Sequence, residues 1–237
     1  ELAVIPGSPA DKVGIVEKAI NLAKEQGAKR VSGLLEYSEA SQHLISSSNA
    51  EAKEKGTNIH LSIRALASKD ASGHLTHTSR IFSRFNYKQA ALEAGQIANS
   101  SKKPAIGIAG KYDVIFTPLA FAPLIALTAD ASSIFSVEAG LSFLKDKLNK
   151  KVASKIFTLQ DNPLIPNGIG STSFDNEGHP TKNKNIIENG ILKTFLHNSS
   201  TSKKYKTRTT GNAGIISPSP FNIIVNSSKY SQDQLIK

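Results

Sequence analysis

Asn189 and Gly190 stand between Ile186-Ile187 and Ile191-Leu192, and no other short stretch limits the chain's conformation so tightly. A two-residue turn between strands needs positive φ at both central positions, which Asn and Gly tolerate. The segment therefore predicts an antiparallel β-hairpin with a type I′ turn. Just upstream, Asp175-Asn176-Glu177-Gly178 followed by His179-Pro180 reads as turn chemistry. Asp175, Glu177 and His179 are also metal-ligand types in close succession. Alternate residues line one face without supplying a closed ligand set, so the segment predicts a turn and a hairpin rather than a metal site.

The rest of the chain divides by pattern. Ser8 as cap, Pro9 at the first helical position and Asp11 as the acidic member of a capping box open a helix, and Gly27 ends it. Val13, Val16, Ile20 and Ala23 give that helix an apolar face. Partial alternation in LLEYSEASQHLIS, IHLSIRALAS and LTHTSRIFSRF, with a tight turn at Asp70 to Gly73, predicts an antiparallel sheet up to Phe85. Asn86 then caps a helix whose Ala90, Ala91, Ala94, Ile97 and Ala98 form a small-residue face. SSKKP, residues 100–104, is the best linker. It places the boundary between a domain over residues 1–103 and a second over 104–237. In the second, YDVIFTP predicts a short buried strand. Helical material follows from Pro118 to about Leu148, interrupted near Ala129 to Ser133 and near Gly140. VASKIFTL, NIIENGILKTFLHN and FNIIVN predict further strands. The fold class expected is α+β: a helix-flanked antiparallel sheet, then a β-rich domain with antiparallel hairpins.

Composition removes several classes of function. There is no cysteine, which excludes disulfides, thiolate nucleophiles and cysteine-ligated zinc or iron–sulfur sites for these residues. The longest apolar run, LAFAPLIALTADA, contains Pro123 and reaches Asp130 too soon to span a bilayer. With no secretory pattern from Glu1 onward, a cytoplasmic location is the expectation. Methionine is also absent, so the sequence reads as an internal piece, incomplete at both ends. The formal charge of +10 would suit an acidic partner or nucleic acid, but residues 182–208 carry only Phe195 and Tyr205 as aromatics. A solvated lysine-rich surface is the reading adopted.

The histidines give no metal signature. His74 and His77 sit three apart in a strand-like segment and so point to opposite faces. His43, His60 and His197 are isolated in sequence and read as surface or locally hydrogen-bonded residues. No helical HExxH spacing occurs. TRTTGNAG, residues 207–214, could form an anion- or backbone-binding nest, or be an ordinary polar loop; composition leaves both open.

Taken together, the D-x-E-G-x-P turn at Asp175 to Pro180, IIENG at Ile186 to Gly190, FLHNS at Phe195 to Ser199 and TGNA at Thr210 to Ala213 resemble the C-terminal domain of the TldD/PmbA family. That family is known both as modulators of DNA gyrase and as metallopeptidases. YDVIFTPLA at Tyr112 to Ala120 and SFLKDKLNKKVASKIFTLQDNP at Ser142 to Pro163 look like the family's helix and following strand, and about residues 8–100 resemble its central domain more loosely. Peptidase-type members carry H-E-x-x-x-H on the helix before this strand, with zinc on the histidines and a glutamate that polarises water. The equivalent here is VEAGLS: Glu138 is kept, and Val137 and Ser142 stand in the histidine positions.

The resemblance therefore implies a TldE/PmbA-type subunit without the metal motif. Its partner would be a TldD-like paralogous subunit, or a second copy in a homodimer, and its substrate a peptide. No cofactor is expected in this chain, and zinc is expected in the motif-bearing partner. Glu138, Asp175, Glu177, Gly178, Arg208, Thr210, Gly211 and Asn212 are the residues expected to contact substrate or the other subunit. The resemblance also implies an N-terminal α/β domain and a longer C-terminal β domain beyond this sequence. Two alternatives stand beside this reading: a basic nucleic-acid-associated protein, and a homo-oligomeric metallopeptidase with an unusual ligand set that uses His179 or His197.

Overall fold

In a computed structural model, residues 9–47, 50–226 and 230–236 are described. They form two compact units, one of residues 9–41 and 55–113, the other of residues 42–47, 50–54, 114–226 and 230–236. Ser8, the expected first cap, lies outside the described residues.

The first unit holds two helices and most of a three-stranded sheet, whose part within residues 42–54 falls in the second unit. Helix α1 (Pro9–Glu25) is followed by β1 (Arg30–Ile45), β2 (Glu51–Leu66), β3 (Ser72–Ser79) and α2 (Tyr87–Ser100), and the strand order is β1-β2-β3. Strict alternation in β2 explains its pairing: Ile59, Leu61, Ile63 and Ala65 are buried, while the residues between them face away from the core. β2 runs antiparallel to β3 from Ile59 opposite Ser79 to Leu66 opposite Ser72. Asn86 caps α2 as expected, its side chain accepting from the Gln89 amide at 3.3 Å.

Two expectations are corrected here. The strand expected to reach Phe85 ends at Ser79, whose hydroxyl donates to the Ile81 carbonyl and accepts from the Ile81 amide; a short 3₁₀ turn at Phe82–Arg84 follows. The buried stripe of α1 is Ile15, Ala19 and Ala23, whereas Val13 is 54% exposed. Small residues decide this rotation. α1 packs on the Ala91, Ala94, Gly95 and Ala98 face of α2, and a Cβ on Gly95 would lie 2.6 Å from the Ala23 carbonyl oxygen. Ala19 and Ala23 permit that approach where a face of branched residues would hold the helices apart.

The second unit is built on a four-stranded sheet ordered β6-β5-β4-β7, from β4 (Leu159–Asp161), β5 (Lys184–Glu188), β6 (Ile191–Leu192) and β7 (Ile223–Val225). Its pairs are antiparallel. Helices α3 (Pro118–Asp130), α4 (Ile134–Glu138), α5 (Ser199–Lys204) and α6 (Gln232–Ile236) complete it. The hairpin forms at Asn189-Gly190 with φ of 50° and 78°, both in the left-handed region. Ile186, Ile187, Leu192, Leu159 and Leu196 close around it as a core.

YDVIFTP forms no strand: Val114, Ile115 and Phe116 are about half exposed or more, and among the described residues no strand pairs with them. VASKIFTL also stays irregular up to Leu159. The amides of Val152 and Ala153 donate to the Gly190 carbonyl and so cradle the hairpin turn instead of extending a ladder. Helix does not continue to Leu148, since Gly140 at φ 73° terminates α4. After β6 the ladder does not continue: Leu196 forms a lone parallel bridge with Ser133, and Phe195 and Leu196 pack with Ile125 and Ile134 in the core. Among the described residues, no helix is long and apolar enough to cross a membrane.

Candidate functional site

Two polar assemblies lie in the second unit, and both are organised by the motif residues of its C-terminal half. The first is a buried network. Asp161, fully buried, accepts from Lys184 Nζ at 3.1 Å, Asn212 Nδ2 at 2.7 Å, and the amides of Phe221 and Asn222 at 2.8 and 3.2 Å. Burial pushes the Lys184 ammonium below its usual range, and the Asp161 charge opposes that. An ion pair placed so deeply is kept by its full set of hydrogen bonds rather than by Coulomb attraction alone.

Asp175, 1% exposed, organises backbone amides in the same way. Its Oδ1 accepts from the amides of Glu177 and His179, each at 3.0 Å, and its Oδ2 from the Ala213 amide at 2.9 Å. Glu177 Oε2 accepts from the Ser199 amide, and the His179 ring is 2.9 Å from the Ser199 hydroxyl. Asp175, Glu177 and His179 are thus occupied with backbone and hydroxyl partners of their own unit. Gly178 adopts φ 80° in the same turn, and Gly211, at φ 66°, lies against the Pro180 carbonyl. Asn212 is fully buried, so Asp175 and Asn212 face the interior of the unit; Arg208 is exposed.

The second assembly surrounds a cavity of about 700 Å³. Asn198 caps α5 reciprocally with Thr201, which fixes the direction in which the helix leaves the preceding strand-like segment. That places Lys204 Nζ 2.8 Å from Glu138 Oε1 and the Tyr205 ring 5.7 Å from the His197 ring. Lys204 holds the Glu138 carboxyl below the usual carboxylate range, and Glu138 in turn raises the Lys204 ammonium. Burial, with a hydrogen bond to Glu138, raises the Tyr205 phenol.

His197 is buried, which corrects the surface alternative of the sequence expectation. Thr210 explains its position. The Thr210 hydroxyl accepts from the His197 amide at 2.8 Å, and the Thr210 amide donates to the His197 carbonyl at 3.1 Å. So the polar loop over residues 207–214 makes a backbone contact to its own chain. Burial lowers the His197 pKa, partly offset by the Glu138 charge, and Nδ1 is buried with no hydrogen-bond partner.

Zinc does not fit the positions that a metal motif would use. The α4 helix ends at Glu138: the Gly140 amide turns back to the Val137 carbonyl and the Leu141 amide to Ser136, a left-handed helix stop. Val137 packs on the apolar core. The Ser142 hydroxyl donates to the Ala131 carbonyl at 2.6 Å and accepts from the Leu144 amide at 3.1 Å. Positions 137 and 142 therefore do not share one helical face, and neither offers a free ligand. Among the described residues, no three His, Asp or Glu side chains come together as a metal set. Sequence reasoning passed over Asp161, Lys184, Lys204 and Tyr205. A signal for α5 was present in Asn198-x-x-Thr201, but nothing linear ties Glu138 to Lys204.

The PmbA/TldA metallopeptidase C-terminal domain model matches residues 109–237. A metalloprotease of Methanocaldococcus jannaschii is 38% identical over 128 residues, covering 54% of this chain and 28% of that protein. A metalloprotease PmbA homolog of Haemophilus influenzae is 39% identical over 101 residues, covering 43% and 22%. The chain thus aligns with under a third of the length of either relative. The fold is similar to that of a Thermotoga maritima protein described as a modulator of a DNA gyrase, with TM-score 0.89 and 27% identity over 100% of this chain and 57% of that one. TldE from Thermococcus kodakarensis shares the fold at TM-score 0.77 and 24% identity, over 97% and 55%. With the matched domain filling more than half of its length, the chain belongs to the TldD/PmbA metallopeptidase family.

Proposed function

We propose that this chain is the non-catalytic, TldE/PmbA-like subunit of a metallopeptidase pair that processes unfolded peptides, and that a motif-bearing TldD-like subunit supplies the zinc. The observation that carries the reading is the helix stop after Glu138, which separates Val137 from Ser142 and leaves both engaged in the fold. A general base needs a polarised water within hydrogen-bond reach. Glu138 instead pairs with Lys204, which gives the carboxylate a role in the fold.

A partner is supported by apolar surface. In α3, Leu119, Leu124 and Leu127 are 38–67% exposed, and the preceding Val114, Ile115 and Phe116 continue the same character. Exposed apolar side chains concentrated in one short segment are the raw material of a protein interface. The occupant proposed is the paralogous subunit. Mixing the purified chain with a motif-bearing family member and measuring mass by light scattering tests this, with a 1:1 complex expected. A chain that remains alone, assembles only with itself, or binds duplex DNA tightly with a steep salt dependence would overturn it.

A further inference from the structure

The cavity of about 700 Å³ beside His197 has the size of a small-molecule site. Its wall has two characters. Ile134, Val137, Leu148 and Phe195 supply apolar surface, and Lys145, Lys193 and Lys204 bring three positive charges against Glu138 and Asp146. Glu138 is matched by Lys204 at 2.8 Å. Lys193 reaches Glu188 only at 3.7 Å, with both side chains about 40% exposed, a geometry that leaves its charge largely available. Lys145 has no ion-pair partner among the described residues and is exposed.

His197 adds a directional group. The residue is 7% exposed and lines the cavity, and its Nδ1 is buried without a partner. A buried N–H without an acceptor is rarer and costlier than an unfilled lone pair, so the neutral ring keeps its proton on Nε2. With Nδ1 buried and unpartnered, Nε2 is the ring nitrogen available as a donor.

We propose that this cavity binds a carboxylate carried on an apolar group, either a free acid or the C-terminal residue of a peptide. The carboxylate accepts from His197 Nε2–H and lies toward Lys145 and Lys193; the apolar group rests on Ile134, Val137, Leu148 and Phe195. A neutral amide offers no charge to the lysines, so the site discriminates between a free C-terminus and a blocked one.

The test uses the isotopically labelled chain by itself, which separates it from pairing: either proposal can fail while the other stands. The probes are N-acetyl-leucine, the peptide acetyl-Ala-Ala-Leu as free acid, and the same peptide as its C-terminal amide, with the His197 ring resonances followed by NMR. Saturable shifts at about 1 mM or below are expected for at least one free acid. The amide should bind roughly tenfold more weakly, and exposed Lys145→Ala should weaken the acids by roughly tenfold without changing the amide. Comparable binding of both acids supports a free-acid ligand, and tighter binding of the tripeptide supports a peptide terminus. No saturable shift, equal binding of acid and amide, or insensitivity to Lys145→Ala would overturn the site.

Discussion

Gly190→Ala should be among the most damaging single-methyl changes in this chain. Gly190 sits at φ 78°, where an L side chain costs about 1–2 kcal/mol. A Cβ there would stand 2.5 Å from the Ala153 carbonyl oxygen and 2.6 Å from that of Ser154. These are backbone atoms, so relief requires moving residues 152–154, at a typical overpacking cost of about 1–3 kcal/mol. The same movement strains the Val152 and Ala153 amide bonds to the Gly190 carbonyl, at 2.8 and 3.1 Å, each worth about 1 kcal/mol net. If one of those bonds is lost, the sum is ~3–6 kcal/mol, or a fall in Tm of roughly 6 °C or more for a chain of this size. Gly14→Ala in α1 is the matched control. Nothing lies within 4 Å of its added Cβ, so it should stabilise by about 0.5–1 kcal/mol. Thermal melts by circular dichroism read both. If Gly190→Ala melts within about 2 °C of the parent, the turn geometry and the 152–154 cradle are both wrong.

His197 gives a pH prediction. Its folded pKa is lowered from 6.5 by burial, so below about pH 6.5 the unfolded chain binds the proton first, and stability falls as pH drops toward the folded pKa. His197→Phe should flatten that region of the stability–pH curve measured by urea unfolding, and an unchanged slope would contradict a buried neutral imidazole. Asp175→Ala strips the acceptor from three backbone amides and should cost about 3 kcal/mol or more in urea, with Asp175→Asn milder because one oxygen remains; equal and small losses would show that the turn does not depend on this carboxylate.

Local chemistry was legible where it acts over a few residues. Asn189-Gly190 announced its hairpin, Asn86 its cap, and the β2 alternation its core face, because each depends on backbone preference or on period two. The rotation of α1 was not legible, since Val13 and Ala19 compete for the interior only once Gly95 lets α2 come close. YDVIFTP misled because an apolar run specifies burial without naming a partner strand. For the candidate site, Asp175 to Gly178 read correctly as a turn, but His197 looked isolated in sequence. Its backbone is held by Thr210 from 13 residues away, and its neighbour Glu138 arrives from α4. The buried Asp161–Lys184–Asn212 network was invisible for the same reason: its members meet only when the sheet and the 207–214 loop assemble.

The most direct test of the pairing account is zinc content by mass spectrometry of metals in the purified chain, in a motif-bearing partner, and in their complex. The account predicts zinc wherever the partner is present and none in this chain alone, because α4 stops at Glu138 and Ser142 is held by Ala131 and Leu144. Replacing both histidines of the partner's motif should empty the complex while it stays assembled. Zinc that persists in that complex, or that is retained by this chain alone at a stoichiometric level, would contradict the claim that this subunit is the non-catalytic half of the pair.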